Sequence, residues 1–218
     1  AIASDGCISK ALVEQFSQIP NMSMDSDGDG YYDILSGFQK SIRGSDVDAA
    51  LYYLGIMIEA NDMDSIERRL LVTAYEDIGL GNPAAVARCV QAIDAAKRVG
   101  FPEGRIPLAM AIIDLCLSPK SKSAESAIDA AMSVLRHTSY KVPDYLRFTP
   151  VNMKEEDQYD YNRSDIWNQI QYLPDALKDT QFYHPQMNSS YEKVLAQNLE
   201  KLRKVKRTSN LAALKKKR

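Results

Sequence analysis

Histidine is scarce in this chain: His137 and His184 are its two examples, and neither has a second ligand at helical spacing, which argues against a metal cluster. Cysteine is nearly as rare. Cys7, Cys89 and Cys116 lie far apart without a C-x-x-C pair, an odd, sparse set that suits a reducing cytosol better than a disulfide framework. Long apolar runs are missing too. The longest, Leu51–Ile58 and Ile106–Ile113, are far too short to span a bilayer, and the N-terminus lacks the basic start and apolar block of a signal peptide. No G-x-x-x-x-G-K-[ST] occurs, so no P-loop cradles a triphosphate, and no G-x-S-x-G supplies a serine nucleophile. Glycine is absent from residues 105–218, which argues against a flexible linker there. These absences point to a cytoplasmic chain with no membrane partner and with no catalytic, cofactor-binding or metal-binding residues of its own.

What is present suits a globular protein. The 218 residues are 45% hydrophobic and 26% charged, enough to bury a real core. The formal charge of −2 hides an asymmetry. Lys201, Arg203, Lys204, Lys206, Arg207, Lys215, Lys216, Lys217 and Arg218 form a tail without an acid, which leaves residues 1–200 at −11. Only that tail favours phosphate, and these nine side chains are the candidate contacts to DNA. No aromatic residue interrupts them, so stacking on single-stranded bases is not indicated, and the bland reading is a solvated, frayed helix end.

The apolar spacing is helical almost throughout. Ile8, Leu12, Val13 and Phe16 line a short opening helix. Tyr31, Leu35, Phe38 and Ile42 line the next, with Gly44 as its C′ residue and Ser45 or Asp46 capping the following one. That helix, over Asp46–Ala60, carries Val47, Ala50, Leu51, Leu54 and Ile58 on one face and Tyr52, Tyr53 and Ile56 on another. Asp64 and Glu67 read as a capping box ahead of Ile66, Leu70, Ala74 and Ile78. Asn82-Pro83 and Pro102 open two more helices, the second apolar nearly all round over Ile106–Leu117 except at Asp114. Ser123 starts a helix with Ala124, Ile128, Ala131 and Leu135 on one face. Residues 139–190 carry four prolines and no sustained period, with one short helix near Ser164–Tyr172. A final amphipathic helix runs from about Ser190. The fold class is all-α: an antiparallel helical bundle with a loop-rich C-terminal wrap. The divisions are 1–26, 27–138, 139–190 and 191–218.

Several motifs tempt and fail. Asp25-Ser-Asp27-Gly-Asp29-Gly30 with Asp33 matches half of an EF-hand loop, but position twelve is Ser36 where a bidentate acid is needed. Gly79-Leu-Gly81-Asn-Pro-Ala84 matches a loose dinucleotide fingerprint, yet it follows a helix rather than a strand and reads as a cap and turn. Glu76 and Asp77 are adjacent on a helix, so they diverge by about 100° and form no acid–base pair unaided. Cys89 and Cys116 sit on apolar helices and read as small core residues.

Five stretches in order carry a resemblance: Lys40–Ala60 (KSIRGSDVDAALYYLGIMIEA), Ala74–Pro83 (AYEDIGLGNP), Leu117–Ala127 (LSPKSKSAESA), Val142–Arg147 (VPDYLR) and Gln171–Asp175 (QYLPD). Together they resemble the C-terminal region of the replication-associated recombination protein A family, also called MgsA, whose members are AAA+ ATPases similar to clamp loaders. The resemblance implies a collar-like domain that assembles a homotetramer. In the whole protein an upstream module would hold ATP and Mg and act as a DNA-dependent ATPase at replication forks and in recombination, with DNA and fork proteins as partners and a nucleoid-associated location. Residues 1–26 are then the end of the lid helix, and the start at Ala1 without a methionine fits a piece of a longer chain. Phe148–Ile170 departs from the family, which usually carries glycine and histidine there. The leading expectation is a homo-oligomerisation module, resting on helices such as Asp46–Ala60 and Ile106–Leu117 that are apolar on more than one face. The alternative is a nucleic-acid-binding accessory module that uses the basic tail.

Overall fold

The computed structural model describes residues 29–136 and 138–216. The chain is all-α. Among these residues no strand forms, and Ile170 and Thr208 make a single parallel bridge. The opening helix expected over Ile8–Phe16 and the first half of the EF-hand-like run lie outside the described residues.

The backbone clusters into two compact units, one built from residues 29–78 and 83–118, the other from 79–82 and 119–216. The first unit contains α1 (Asp29–Arg43), α2 (Val47–Glu59), α3 (Met63–Thr73), a π-turn (Ala74–Ile78), α4 (Pro83–Val99) and α5 (Arg105–Leu117). The second contains a 3-10 turn (Gly79–Gly81), α6 (Ser123–Leu135), four further 3-10 turns between Asp144 and Leu177, α7 (Ser190–Arg203) and α8 (Leu211–Lys216).

In the first unit the same device ends α1 and α2. The Asp46 amide donates to the Ser41 carbonyl and the Ser45 amide to that of Ile42, with Ser45 at φ 61°. Asp62, Asn61 (φ 54°), Met57 and Ile58 repeat the pattern one helix later. This is the six-to-one closure that satisfies the last carbonyls of a helix, and it puts Gly44 at the C-cap and Ser45, not Gly44, in the left-handed position. Each closure then delivers an aspartate as the next N-cap. Asp46 accepts from the Ala49 amide and Asp62 from the Ser65 amide, both at 3.0 Å. The cap of α3 is therefore Asp62, whose second oxygen accepts from the Tyr31 hydroxyl, rather than the Asp64 expected from the capping-box pattern.

Phe38, Ile42, Leu54, Met57, Ile66, Leu70, Ile93, Leu108 and Ile112 interlock in one core. α5 starts at Arg105, three residues after Pro102, because residues 101–104 form a turn. It packs chiefly on α4 and α2, and Arg88 of α4 grips Asp114 of α5 with two hydrogen bonds, at 2.7 and 3.0 Å. Cys89 and Cys116 are buried in this core as expected. Asp77, 1% exposed, is held by Arg43 through Nε–Oδ1 at 2.6 Å, and Glu76 meets the same guanidinium at 3.3 Å. The adjacent acids thus share one cation across the helices, as a structural tie rather than an acid–base pair.

Candidate functional site

The second unit is organised around a buried carboxylate. Ser189 caps α7 by accepting from the Glu192 amide. In a reciprocal capping box Glu192 would turn back to the cap amide. Here it turns inward instead, and its Oε1 accepts from the Ser123 hydroxyl, from the Gln186 amide at 3.0 Å and from the Tyr183 hydroxyl at 3.2 Å. Glu192 is 0% exposed, and its Oε2 has no hydrogen-bond partner. Burial raises its pKa, but the serine, amide and phenol donors outweigh that and hold the carboxyl below its usual range. One side chain thus joins the start of α6, residues 183–186 and the start of α7.

The glycine motif packs beside it. Gly79 sits at φ 43°, and a Cβ on Gly81 would come within 2.2 Å of the Pro119 carbonyl oxygen. Ser189 donates to the Leu80 carbonyl at 3.3 Å, and Asn188 to that of Lys120 at 3.1 Å. The glycines therefore serve a tight turn and close backbone approach. From Asp29 onward the EF-hand-like run is helical, so Asp33 and Ser36 lie on α1 and not on a calcium loop. Among the described residues no three His, Cys, Asp or Glu side chains gather to hold a metal. His184 pairs with the Gln181 carbonyl at 3.1 Å, and His137 is outside the described residues.

The basic tail differs from the frayed end expected of it. After α7, the Thr208 amide donates to the Gln169 carbonyl and the Gln171 amide to that of Thr208. α8 then buries Leu211 and Leu214 against Ile166, Ile170, Tyr145 and Tyr159. Arg203 donates to the Tyr183 carbonyl, Lys204 pairs with Glu200 at 2.8 Å, and Lys215 donates to the Glu155 carbonyl. Arg207 lies over the Tyr172 ring, 5.9 Å from its centroid. Lys201, Lys206 and Lys216 are exposed, while Lys217 and Arg218 lie outside the described residues.

Sequence reasoning missed an aromatic cleft of about 470 Å³ in this unit. Tyr145, Phe148, Tyr159, Tyr161 and Tyr172 line it together with Arg147. Tyr159 lies edge-on to Tyr161 at 5.1 Å and stacks near Trp167 at 6.3 Å. Tyr145 donates to the Gln171 carbonyl at 2.6 Å, which joins the VPDYLR and QYLPD stretches. Burial first, and then Tyr159, push the Tyr172 phenol up to about 12. The signal was the density of tyrosine over 140–172, but nothing local says that these rings converge.

Among the described residues, α5 and α6 leave apolar faces open, and α7 exposes Tyr191, Val194 and Leu202. On α5 Ile106, Met110, Ile113 and Leu117 stand at i, i+4, i+7 and i+11 and are 41–68% exposed, opposite the face that fills the core. On α6 Ile128 and Leu135, which share the apolar face read from the spacing, are 50–62% exposed together with Met132. On the second apolar face of α2, by contrast, Tyr53 packs on the core and Ile56 is half-buried, while Tyr52 is exposed.

The described residues thus form two compact all-α units with polar ties between helices, an anchored cationic tail and open apolar stripes. The chain belongs to the MgsA AAA+ ATPase C-terminal family, whose sequence model matches residues 44–203. It is 49% identical over 213 residues to the replication-associated recombination protein A of Bacillus subtilis (strain 168), covering 94% of this chain and 51% of that protein. Proteins of the same name from Haemophilus influenzae (37% over 205 residues; 90% and 46% covered) and Escherichia coli K12 (36% over 170 residues; 74% and 38%) are also similar. The chain spans about half the length of the curated relatives it matches, or somewhat less. No helix among the described residues is long and apolar enough to cross a membrane.

Proposed function

We propose that this chain is the self-assembly module of a AAA+ ATPase that acts in replication-fork maintenance and recombination, joining copies into a homotetramer while ATP and Mg are held elsewhere in the longer protein. The observation that carries this reading is the open stripe of α5. A helix whose core face is already satisfied gains nothing in a monomer from four more large apolar side chains in register, and such surfaces mark contacts with other chains. Burying their open parts contributes about 1 kcal/mol per side chain, so two facing stripes supply about 8 kcal/mol. Association costs about 4–15 kcal/mol, so one stripe alone makes a weak contact and the α6 face (Ile128, Met132, Leu135) is needed as well. Replacing Met110 and Ile113 with glutamate should lower the mass measured by light scattering while leaving the helical circular dichroism intact. An unchanged mass rejects the α5 interface.

A second reading is favoured by the anchoring of the tail, which holds Lys201, Lys206 and Lys216 outward on fixed backbone rather than on a loose end. These side chains are suited to DNA phosphates. Removing residues 201–218 would strip Leu211 and Leu214 from their core, so the test is Lys201→Glu, Lys206→Glu and Lys216→Glu together. Duplex affinity should fall and the salt slope flatten by about 3 in magnitude, since each phosphate no longer neutralised removes roughly one unit. Equal affinity and slope reject it.

A further inference from the structure

The aromatic cleft is used by nothing proposed so far, and its chemistry is unusual for a surface. Phe148 is 99% and Tyr161 77% exposed, so two rings stand in solvent beside three partly covered ones. The one charged side chain lining it is Arg147, which pairs with Asp144 through one nitrogen at 2.9 Å and keeps its other donors for a ligand. A second guanidinium, Arg207, sits on the rim ring Tyr172.

Charge complementarity selects among occupants. A cationic ligand would be attracted by the rings but repelled by Arg147, and no carboxylate lines this cleft to offset that repulsion. A proline-rich peptide wants ring donors for its carbonyls, yet Tyr145, Tyr172 and the Trp167 indole already donate to the Gln171, Trp167 and Asp160 carbonyls. What remains is a planar π-ligand that carries negative charge. We propose that this cleft binds an unpaired nucleotide of single-stranded nucleic acid, its base stacked on Tyr161 and Phe148 and its phosphate at Arg147. A volume of about 470 Å³ accepts one base with its sugar. A paired base, stacked above and below, offers no free face, so duplex is excluded by the same geometry.

The site differs physically from the lysines of the tail. Arg147 is the one charged side chain that lines it, so affinity rests mainly on stacking. Binding should therefore depend weakly on salt, with a logarithmic slope of about −1 for one or two phosphates. The inference stands apart from the self-assembly reading, because a monomer would bind as well.

The test is fluorescence anisotropy of a fluorescein-labelled oligothymidylate titrated with the full chain, with the hybridised duplex and free thymidine monophosphate as competitors. Stacking on one aromatic is worth roughly tenfold in affinity. Tyr161→Ala and Phe148→Ala should each weaken binding about tenfold with unchanged circular dichroism, and Tyr161→Trp should restore it, since both rings project into solvent and support no core. Duplex should compete at least tenfold more weakly than unlabelled oligothymidylate, while free thymidine monophosphate, which carries the same base and phosphate, should compete. Absence of binding, unchanged binding by the double alanine variant, equal competition by duplex, or no competition by the monophosphate each overturns the proposal. Loss of binding in Lys206→Glu with retention in Tyr161→Ala does so too, and assigns the strand to the tail.

Discussion

Replacing Glu192 with alanine should destabilise the second unit by about 2–4 kcal/mol. Three donors end on one oxygen of this carboxylate: the Ser123 hydroxyl, the Tyr183 hydroxyl and the Gln186 amide. A hydrogen bond to a charged group contributes about 1.5–3 kcal/mol net, and a buried donor left without an acceptor costs about 1–3 kcal/mol. Against this, the truncation also removes a buried charge whose Oε2 has no partner, and that returns part of the loss. Glu192→Gln keeps shape and acceptor but not charge, and should cost about half as much. Trp167 is the single tryptophan and lies in this unit, so its fluorescence during urea unfolding reports the right transition. The pH dependence carries its own sign. Donors outweigh burial and lower the folded pKa, so the unfolded state takes up its proton first as pH falls. The stabilisation is complete above the ordinary glutamate value of about 4.3 and is lost as pH falls through the lower folded value. The gap between native protein and Glu192→Gln should thus be widest near neutrality and close in acid. A cost below about 0.5 kcal/mol for Glu192→Ala, or a gap that widens in acid, would refute the assignment of Glu192 as the tie.

Two other outcomes follow from the same geometry. Gly81→Ala forces a Cβ to 2.2 Å from a backbone oxygen and should cost about 1–3 kcal/mol or more. Gly55→Ala, inside α2 with nothing within 4 Å of the added carbon, should gain about 0.5–1 kcal/mol, so opposite shifts in urea midpoint are expected from one chemical change. In a Cys7→Ser background, iodoacetamide should label nothing at neutral pH until denaturant is added. Cys89 and Cys116 are buried, and burial first, then Asp114, push the Cys89 thiol up to about 12.

Local chemistry made most helices legible. The α1 stripe, Pro83 at the start of α4, Ser123 at the start of α6 and Ser190 at the start of α7 all stand where spacing and caps put them. Errors arose where two local signals compete. Asp62 immediately precedes α3 and Asp64 lies in its first turn, and the closure that brings the Asp62 amide to Met57 decides between them. The functional surfaces were less legible, because exposure is a tertiary property. The apolar face of α6 has the spacing of a core face and is nonetheless open. The absence of aromatics from the tail argued against stacking, yet folding sets Arg207 on a tyrosine 35 positions earlier in the chain. Glu192 reads as the third residue of a capping box, and only its inward turn reveals a buried tie.

The central claim is self-assembly through open helical faces, and it is tested most directly by absolute mass from light scattering after gel filtration at low and high salt. The account predicts a tetramer that persists in high salt, since apolar contacts are not screened, and a smaller species for Met110→Glu/Ile113→Glu. A clean monomer at both salt concentrations would contradict it.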